Sequence, residues 1–339
     1  MNHETVEKLY DLIDDMAMLL VEHANMKYVD ALVAVGANIV SADVLQDVDT
    51  EIEIKLFGLG KEVSDMTFQV EEVRKALQLA LLKGMKADGI PMDTMTPDSI
   101  ALIIGHLVAK LNPETSKLKL ADFTCGTGNL LTATLNTLKD VPDAVYGVDV
   151  DYQLLELAKM MADMQDYEIK FFHQSSTGAM AVPQIDVIIG DLPTEKLAKE
   201  ADAFSQLAAA GCDYLPYHIV ENHLNYLAAG GFGIYVIGND FFSQKDAAKF
   251  HEILTSTAEI GMLLQLPETL FKDATKQKSI FVIRKHQIGQ KKAKEALVGH
   301  FPSLSNIQDF RIMLTKLEKW ITMNEWMRQE TSASNVKSK

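Results

Sequence analysis

The sequence is short of cysteine, arginine and long apolar runs, and each shortage excludes something. Cys125 and Cys212 are the only two cysteines in 339 residues. They supply neither a disulfide framework nor a four-ligand zinc site. No apolar run approaches the roughly 18 residues that a membrane-spanning helix needs. The acidic, amphipathic opening from Met1 to Asp15 lacks the basic start and apolar core of a secretory leader. The expectation is a reduced, cytoplasmic protein that does not enter a membrane. Four of the 32 basic side chains are arginine, at positions 74, 284, 311 and 328, and the net charge is −15. Duplex DNA is held by clustered Lys and Arg that neutralise phosphates. An acidic chain poor in arginine is therefore not expected to hold DNA by itself.

The charge is unevenly spread. Residues 1–100 carry 19 acids against 8 bases. Residues 272–294 carry eight bases (Lys272, Lys276, Lys278, Arg284, Lys285, Lys291, Lys292, Lys294) and a single acid, Asp273. That stretch reads either as a solvated loop and strand edge or as a basic rim beside a site. The length suits one large α/β domain with an appendage.

Residues 1–90 read as a helical module. Leu9, Leu12, Ile13, Met16, Leu19 and Leu20 recur at helical spacing as one apolar stripe. Val63 to Lys86 contains a second helical stretch, ending near Gly84 or Gly89. Between them, Ile52, Ile54 and Leu56 alternate with Glu51, Glu53 and Lys55, which predicts a short strand. The module carries no catalytic pattern and reads as a cap or as a surface for homo-oligomerisation. After the Gly89–Pro91 break the texture changes. Thr96-Pro97-Asp98 predicts a helix start, with Thr96 at the N-cap, Pro97 at the first helical position and Asp98 in the first turn. Strands are then expected at Lys117–Asp122, Ala144–Asp149, Ile169–His173, Ile185–Gly190, Phe232–Ile237, Gly261–Leu266 and Ser279–Arg284. Helices such as Leu130–Leu138 and Leu154–Met164 lie between most of them. This alternation predicts an α/β fold: a mostly parallel, Rossmann-like sheet of seven strands covered on both faces, spanning residues 91–287. Residues 288–330 read as a basic linker with one helix, Asn306–Trp326, and Thr331–Lys339 as a disordered tail.

The first of these strands runs into Phe123-Thr124-Cys125-Gly126-Thr127-Gly128-Asn129 and then a helix. Such a unit presents backbone amides to a nucleotide-like ligand, and Gly126 and Gly128 let the backbone turn and approach it closely. A nucleoside triphosphate loop needs Gly-Lys-Ser/Thr, but Asn129 and Leu130 follow Gly128. A dinucleotide loop wants a small residue where Leu131 stands. S-adenosylmethionine presents a sulfonium and an ammonium instead of a diphosphate, and Asp122 at the strand end favours a cation. The second strand ends in Gly147-Val148-Asp149-Val150-Asp151, with Asp149 lying 23 residues after Gly126. A carboxylate there accepts from both ribose hydroxyls, and Val150 can lie against the adenine. Asp151 reads as the N-cap of the next helix.

With these motifs in place, residues 92–286 resemble the adenine-N6 DNA methyltransferase superfamily, especially the modification subunits of type I restriction systems and small stand-alone bacterial relatives. The likeness adds Ile188-Ile189-Gly190-Asp191-Leu192-Pro193-Thr194, Gly230-Gly231, and Leu266-Pro267-Glu268-Thr269-Leu270-Phe271 to the loop. It implies an S-adenosylmethionine-dependent enzyme. Thr96, Asp122, Thr124, Gly126, Gly128, Asn129, Asp149, Val150 and Ser175 would hold the cofactor, and Asp191 and Pro193 would act at the amine. In the family pattern the fourth strand ends in Asn or Asp, Pro, Pro and an aromatic. An oxygen and a backbone carbonyl there accept the amine's N–H bonds, and the aromatic stacks on the flipped base. Here Leu192 replaces the first proline and Thr194 the aromatic. The acid expected after the third strand is absent from His173-Gln174-Ser175-Ser176, leaving Gln174 or Ser175 for the adenine amine. Phe123 replaces a proline.

Three functions are consistent with this pattern. They are an adenine-N6-type methyltransferase that uses a partner chain for DNA recognition, a methyltransferase acting on another amine, and a cofactor-binding regulatory or scaffold protein with impaired catalysis. His173, His218, His223 and His251 have no zinc spacing and read as packing or surface residues. Cys125 reads as a small residue filling a tight loop, Trp320 and Trp326 as anchors of the last helix, and the 16 methionines as core filler.

Overall fold

The computed structural model describes residues 1–194, 205–271, 273 and 276–328. The predicted tail Thr331–Lys339 and Lys272 lie outside the described residues. The N-terminal segment forms α1 (His3–His23), α2 (Tyr28–Ser41), α3 (Thr50–Ser64) and α4 (Val70–Asp88). Asn2 caps α1 by accepting from the Glu4 amide at 3.0 Å. Gln69 and Glu72 form a capping box at the start of α4, and Gly89 ends it at φ 75°.

The predicted strand at Ile52–Leu56 is instead part of α3. Alternation over so few residues is also compatible with a helix when the buried positions are four apart. Ile52 and Leu56 are buried, whereas Ile54 between them is 67% exposed. The stripe of α1 is buried in the chain's own core. Leu9, Leu12, Ile13, Met16 and Leu20 pack with Val29, Leu32, Leu77 and Leu81, and with Leu157, Met160 and Met161. A second copy of the chain is not needed to cover it.

The remaining helices are α5 (Asp98–Leu111), α6 (Asn129–Thr137), α7 (Tyr152–Asp163), α8 (Gln206–Ala209), α9 (Leu215–Tyr226), α10 (Ala247–Thr257) and α11 (Ile307–Met323). The strands are β1 (Lys119–Asp122), β2 (Ala144–Asp149), β3 (Ile169–His173), β4 (Ile185–Asp191), β5 (Leu227–Gly238), β6 (Ala258–Gln265), β7 (Lys278–Lys285) and β8 (Leu297–His300). They form one eight-stranded sheet in the order β3-β2-β1-β4-β5-β7-β6-β8. β2 pairs with β3, and β4 with β5, in parallel; β7 runs antiparallel to both β5 and β6. The seven expected strands are all present. β8 is an addition, in a segment that reads as a linker. It has four residues and alternates between exposed and half-buried positions, too short and too polar a run to announce itself.

By contact density the chain divides into two compact units. The first comprises Met1–Gly105, Ala121–Leu138 and Ala144–Ser176; the second comprises His106–Leu120, Lys139–Asp143 and the described residues from Thr177 onward. In the first, the helical module shares its core with α7, so closely that a Cβ on Gly36 would lie 2.4 Å from Met160 Cγ. In the second, β4, β5 and β7 are buried along nearly their whole length. Tyr217 stacks on Phe250 at 4.2 Å, with Phe241 edge-on to both. Trp326, just past α11, is fully buried. Its ring fills space that Gly261 leaves open, and its indole N–H donates to Glu259 at 2.8 Å.

Candidate functional site

The loop after β1 turns through two left-handed glycines, Gly126 at φ 51° and Gly128 at φ 76°. Both are needed twice over. A Cβ on Gly126 would meet the Thr94 carbonyl at 3.0 Å, and one on Gly128 would meet Ala158 of α7 at the same distance. Asp122 is fully buried and steadies the turn by accepting from the Thr124 amide at 3.0 Å. Asp149, at the end of β2, accepts from the Gly126 amide at 2.7 Å and from the Asp151 amide at 2.9 Å. Burial raises its pKa above the usual carboxylate value, while the Asp151 and Gly126 amides pull it down. Asp151 caps α7 through the Gln153 and Leu154 amides.

Val150 is 71% exposed, an apolar face open to solvent beside Asp149. Its carbonyl lies 2.9 Å from His173 Nε2. Ser175 is exposed and lies two residues beyond His173, which is in register with Asp149. Asn129 and Thr96 are bonded to one another. Asn129 is buried, with Oδ1 accepting from Arg74 at 2.7 Å and Nδ2 donating to the Thr96 carbonyl at 2.8 Å. Its side chain is therefore committed inside the protein, and so is that carbonyl. The helix start is shifted by a residue: Pro97 caps α5, with its carbonyl accepting from the Ile100 and Ala101 amides. Cys125 is buried, and burial, then Asp122 and Asp149, push its thiol well above its ordinary pKa. This suits a packing residue and not a thiolate.

In the second unit, Asp191 ends β4 and pairs in register with Val236 of β5. Lys278 opens β7 opposite Gly238 and forms an ion pair with Asp191 at 2.6 Å. Leu192 is buried, and its amide donates to the Val236 carbonyl at 2.9 Å. Pro193 is half-buried and Thr194 exposed. Several bases of the 272–294 stretch turn inward. Arg284 is buried and paired with Glu259, and the Lys285 ammonium donates to the Leu224 and Leu227 carbonyls. The reading of that stretch as a solvated edge or basic rim holds for fewer residues than expected. Among the described residues no cluster of His, Cys, Asp and Glu could hold a metal ion, and no helix is long and apolar enough to cross a membrane.

Residues 92–308 match the family model described as N-6 DNA Methylase, and residues 7–85 match the YtxK N-terminal helical domain. This chain belongs to the N-6 DNA methylase family. The uncharacterized protein YtxK of Bacillus subtilis is 31% identical over 324 residues, which cover 94% of this chain and 98% of that protein. The crystal structure of a candidate class I S-adenosylmethionine-dependent methyltransferase from Listeria monocytogenes superposes with a TM-score of 0.86 at 32% identity, covering 94% of this chain and 99% of the other. The modification subunit of a candidate type I restriction enzyme from Vibrio vulnificus gives a TM-score of 0.60 at 13% identity, with 84% and 65% covered. At that identity the likeness is one of fold. The fold is that of a class I methyltransferase with an N-terminal helical domain.

Two residues of consequence escape a reading of motifs. Arg74 is one of four arginines, and a fully buried one, which composition hints at but cannot place. Lys278 stands in a stretch of bases that look alike until the fold directs one of them at Asp191.

Proposed function

We propose that this chain binds S-adenosylmethionine on the Asp122–Asn129 loop and transfers its methyl group to an exocyclic amine, the N6 amine of adenine being the acceptor for which its family is named. The observation that carries the reading is the bond from the Gly126 amide to Asp149. A carboxylate has about four acceptor positions. The Gly126 and Asp151 amides take one on each oxygen, which leaves capacity on both for a pair of ribose hydroxyls. Val150 offers the adjoining apolar face for adenine, and Ser175 or Gln174 a polar contact for its amine. When bound, the cofactor supplies a methyl group activated by the neighbouring sulfonium.

Asp191 is the acceptor that the family pattern assigns to the amine, with the Leu192 carbonyl beside it and Pro193 stiffening the turn. Drawing the amine's N–H bonds onto these oxygens frees its lone pair for attack. Sequence-specific DNA contact would come from a partner chain. The acidic balance and the inward-facing Arg284 and Lys285 support that division of labour.

The Lys278–Asp191 ion pair favours a second reading. A carboxylate already neutralised by an ammonium is a weaker acceptor for a neutral amine, and Thr194 offers no stacking face. A cofactor-binding regulatory or scaffold protein with impaired catalysis has these properties. Calorimetry with S-adenosylmethionine, beside labelled methyl transfer to DNA, RNA and cell extract, separates the two. Transfer lost in Asp191→Ala supports catalysis. Firm cofactor binding with no transfer to any acceptor supports the second reading, and no cofactor binding defeats both.

A further inference from the structure

We infer that the N-terminal helical module is part of the cofactor site, with Arg74 of α4 as the positioning residue for the glycine loop. This inference rests on the assignment of that loop to the cofactor. The Arg74 side chain is fully buried, and each of its nitrogens has a named acceptor. Nε donates to Glu71 Oε2 at 2.8 Å, Nη2 to Glu71 Oε1 at 2.5 Å, and Nη1 to Asp98 at 2.8 Å and to Asn129 at 2.7 Å. Asn129 is the first residue of α6 and directly follows Gly128, so it is the hinge between loop and helix. Its amide group is held at both ends, by Arg74 and by the Thr96 carbonyl.

The same helix α4 grips α6 a second time. Glu71 accepts from Asn136 Nδ2 at 2.8 Å, one residue before α6 ends. Asn136 in turn accepts from the Tyr167 hydroxyl at 2.6 Å. The pair Glu71–Arg74, one helical turn apart, therefore braces α6 near both ends. The direction of the amides at the start of α6 depends on that brace. A loop already held in its binding geometry loses less freedom when a ligand arrives. The guanidinium fork matters here, because it reaches three side chains at once. A lysine ammonium has no such planar fork.

The test uses the full chain and titrates S-adenosylmethionine calorimetrically, with folding monitored by circular dichroism. Arg74→Lys keeps the charge and should weaken binding about tenfold at a temperature where the protein is folded. Asn129→Asp keeps an acceptor for Arg74 but removes the donor to Thr96, and should weaken binding similarly. Because both act by loosening the same Asn129 side chain, the double variant should lose much less than the product of the two single effects. Leu12→Ala, in the core of the same module, should lower the melting temperature and leave the affinity unchanged. Wild-type affinity in folded Arg74→Lys overturns the positioning role while leaving the cofactor assignment intact. Equal affinity losses in Arg74→Lys and Leu12→Ala would reduce the role to general stability and overturn it too. Failure of the wild-type chain to bind overturns the cofactor assignment and the positioning role together.

Discussion

At the scale of the residue, two half-buried acids respond to pH in opposite directions. Burial raises the pKa of Asp149, with its backbone bonds only partly offsetting it. The folded state therefore holds that proton more tightly than the unfolded chain, and the contribution of Asp149 to stability declines as pH rises through its folded pKa. Burial also works on Glu71, but Arg74 and Asn136 outweigh it and hold its pKa below the usual value. Its contribution is present above the ordinary carboxylate pKa of about 4.3 and is lost as pH falls through the lowered folded value. Ribose hydroxyls would stabilise the ionised form of Asp149, so cofactor affinity should weaken as pH drops towards its raised pKa. Asp149→Asn should bind more weakly and lose that pH dependence, as titration calorimetry across the acidic range would show. Asp149→Ala loses two bonds to a charged acceptor, each contributing about 1.5–3 kcal/mol at most, and should weaken binding at least tenfold. Unchanged affinity would remove Asp149 from the site. The place of Asp149 was legible because a strand end and a following cap, Asp151, fix it. The partners of Asn129 were not, because they come from residues 33 and 55 positions earlier in the chain.

At the scale of the element, the alternation of strand and helix was legible because apolar runs of four to eight residues between turns have few other readings. α3 was not. Its alternating start, Glu51-Ile52-Glu53-Ile54, fits a strand until Val63 and the packing of α1 decide for a helix. The end of the chain's last described helix makes a sharper case. Trp326 sits in space that only a glycine at 261 leaves, since a Cβ there would lie 1.8 Å from the indole ring. Trp326 also meets Phe232 edge-on at 5.3 Å and lies under the Arg284 guanidinium at 5.0 Å. Trp326→Ala should cost about 3–5 kcal/mol in urea denaturation. Gly261→Ala should cost about 1–3 kcal/mol by overpacking. In the double variant the methyl enters the vacated space, so the two losses should fall short of their sum. Strict additivity would mean that the contact is not what either residue contributes.

At the scale of the whole molecule, the helical module is legible as helical but not as part of a site. Its stripe is covered by α2, α3, α4 and by Leu157, Met160 and Met161. A chain beginning at Gly89 would expose those α7 residues and lose Glu71 and Arg74 together. It should aggregate or elute anomalously in size exclusion, and any soluble fraction should bind S-adenosylmethionine poorly. A truncated monomer with full affinity would show the module to be dispensable. The basic stretch 272–294 carries a related lesson. Its composition suggested charge offered to solvent, whereas Lys278, Arg284 and Lys285 meet Asp191, Glu259 and backbone carbonyls. A sequence records which charges a chain carries, but their direction is set only when the sheet forms.

The position of Asp149 and Val150 has one more consequence. Both would read the adenosine half of the cofactor, which methyl transfer leaves unaltered. The demethylated nucleoside should then occupy the same cradle nearly as well as its parent, and reaction progress should slow as it accumulates. The pace of any methyl transfer by this chain would depend on whatever clears that by-product.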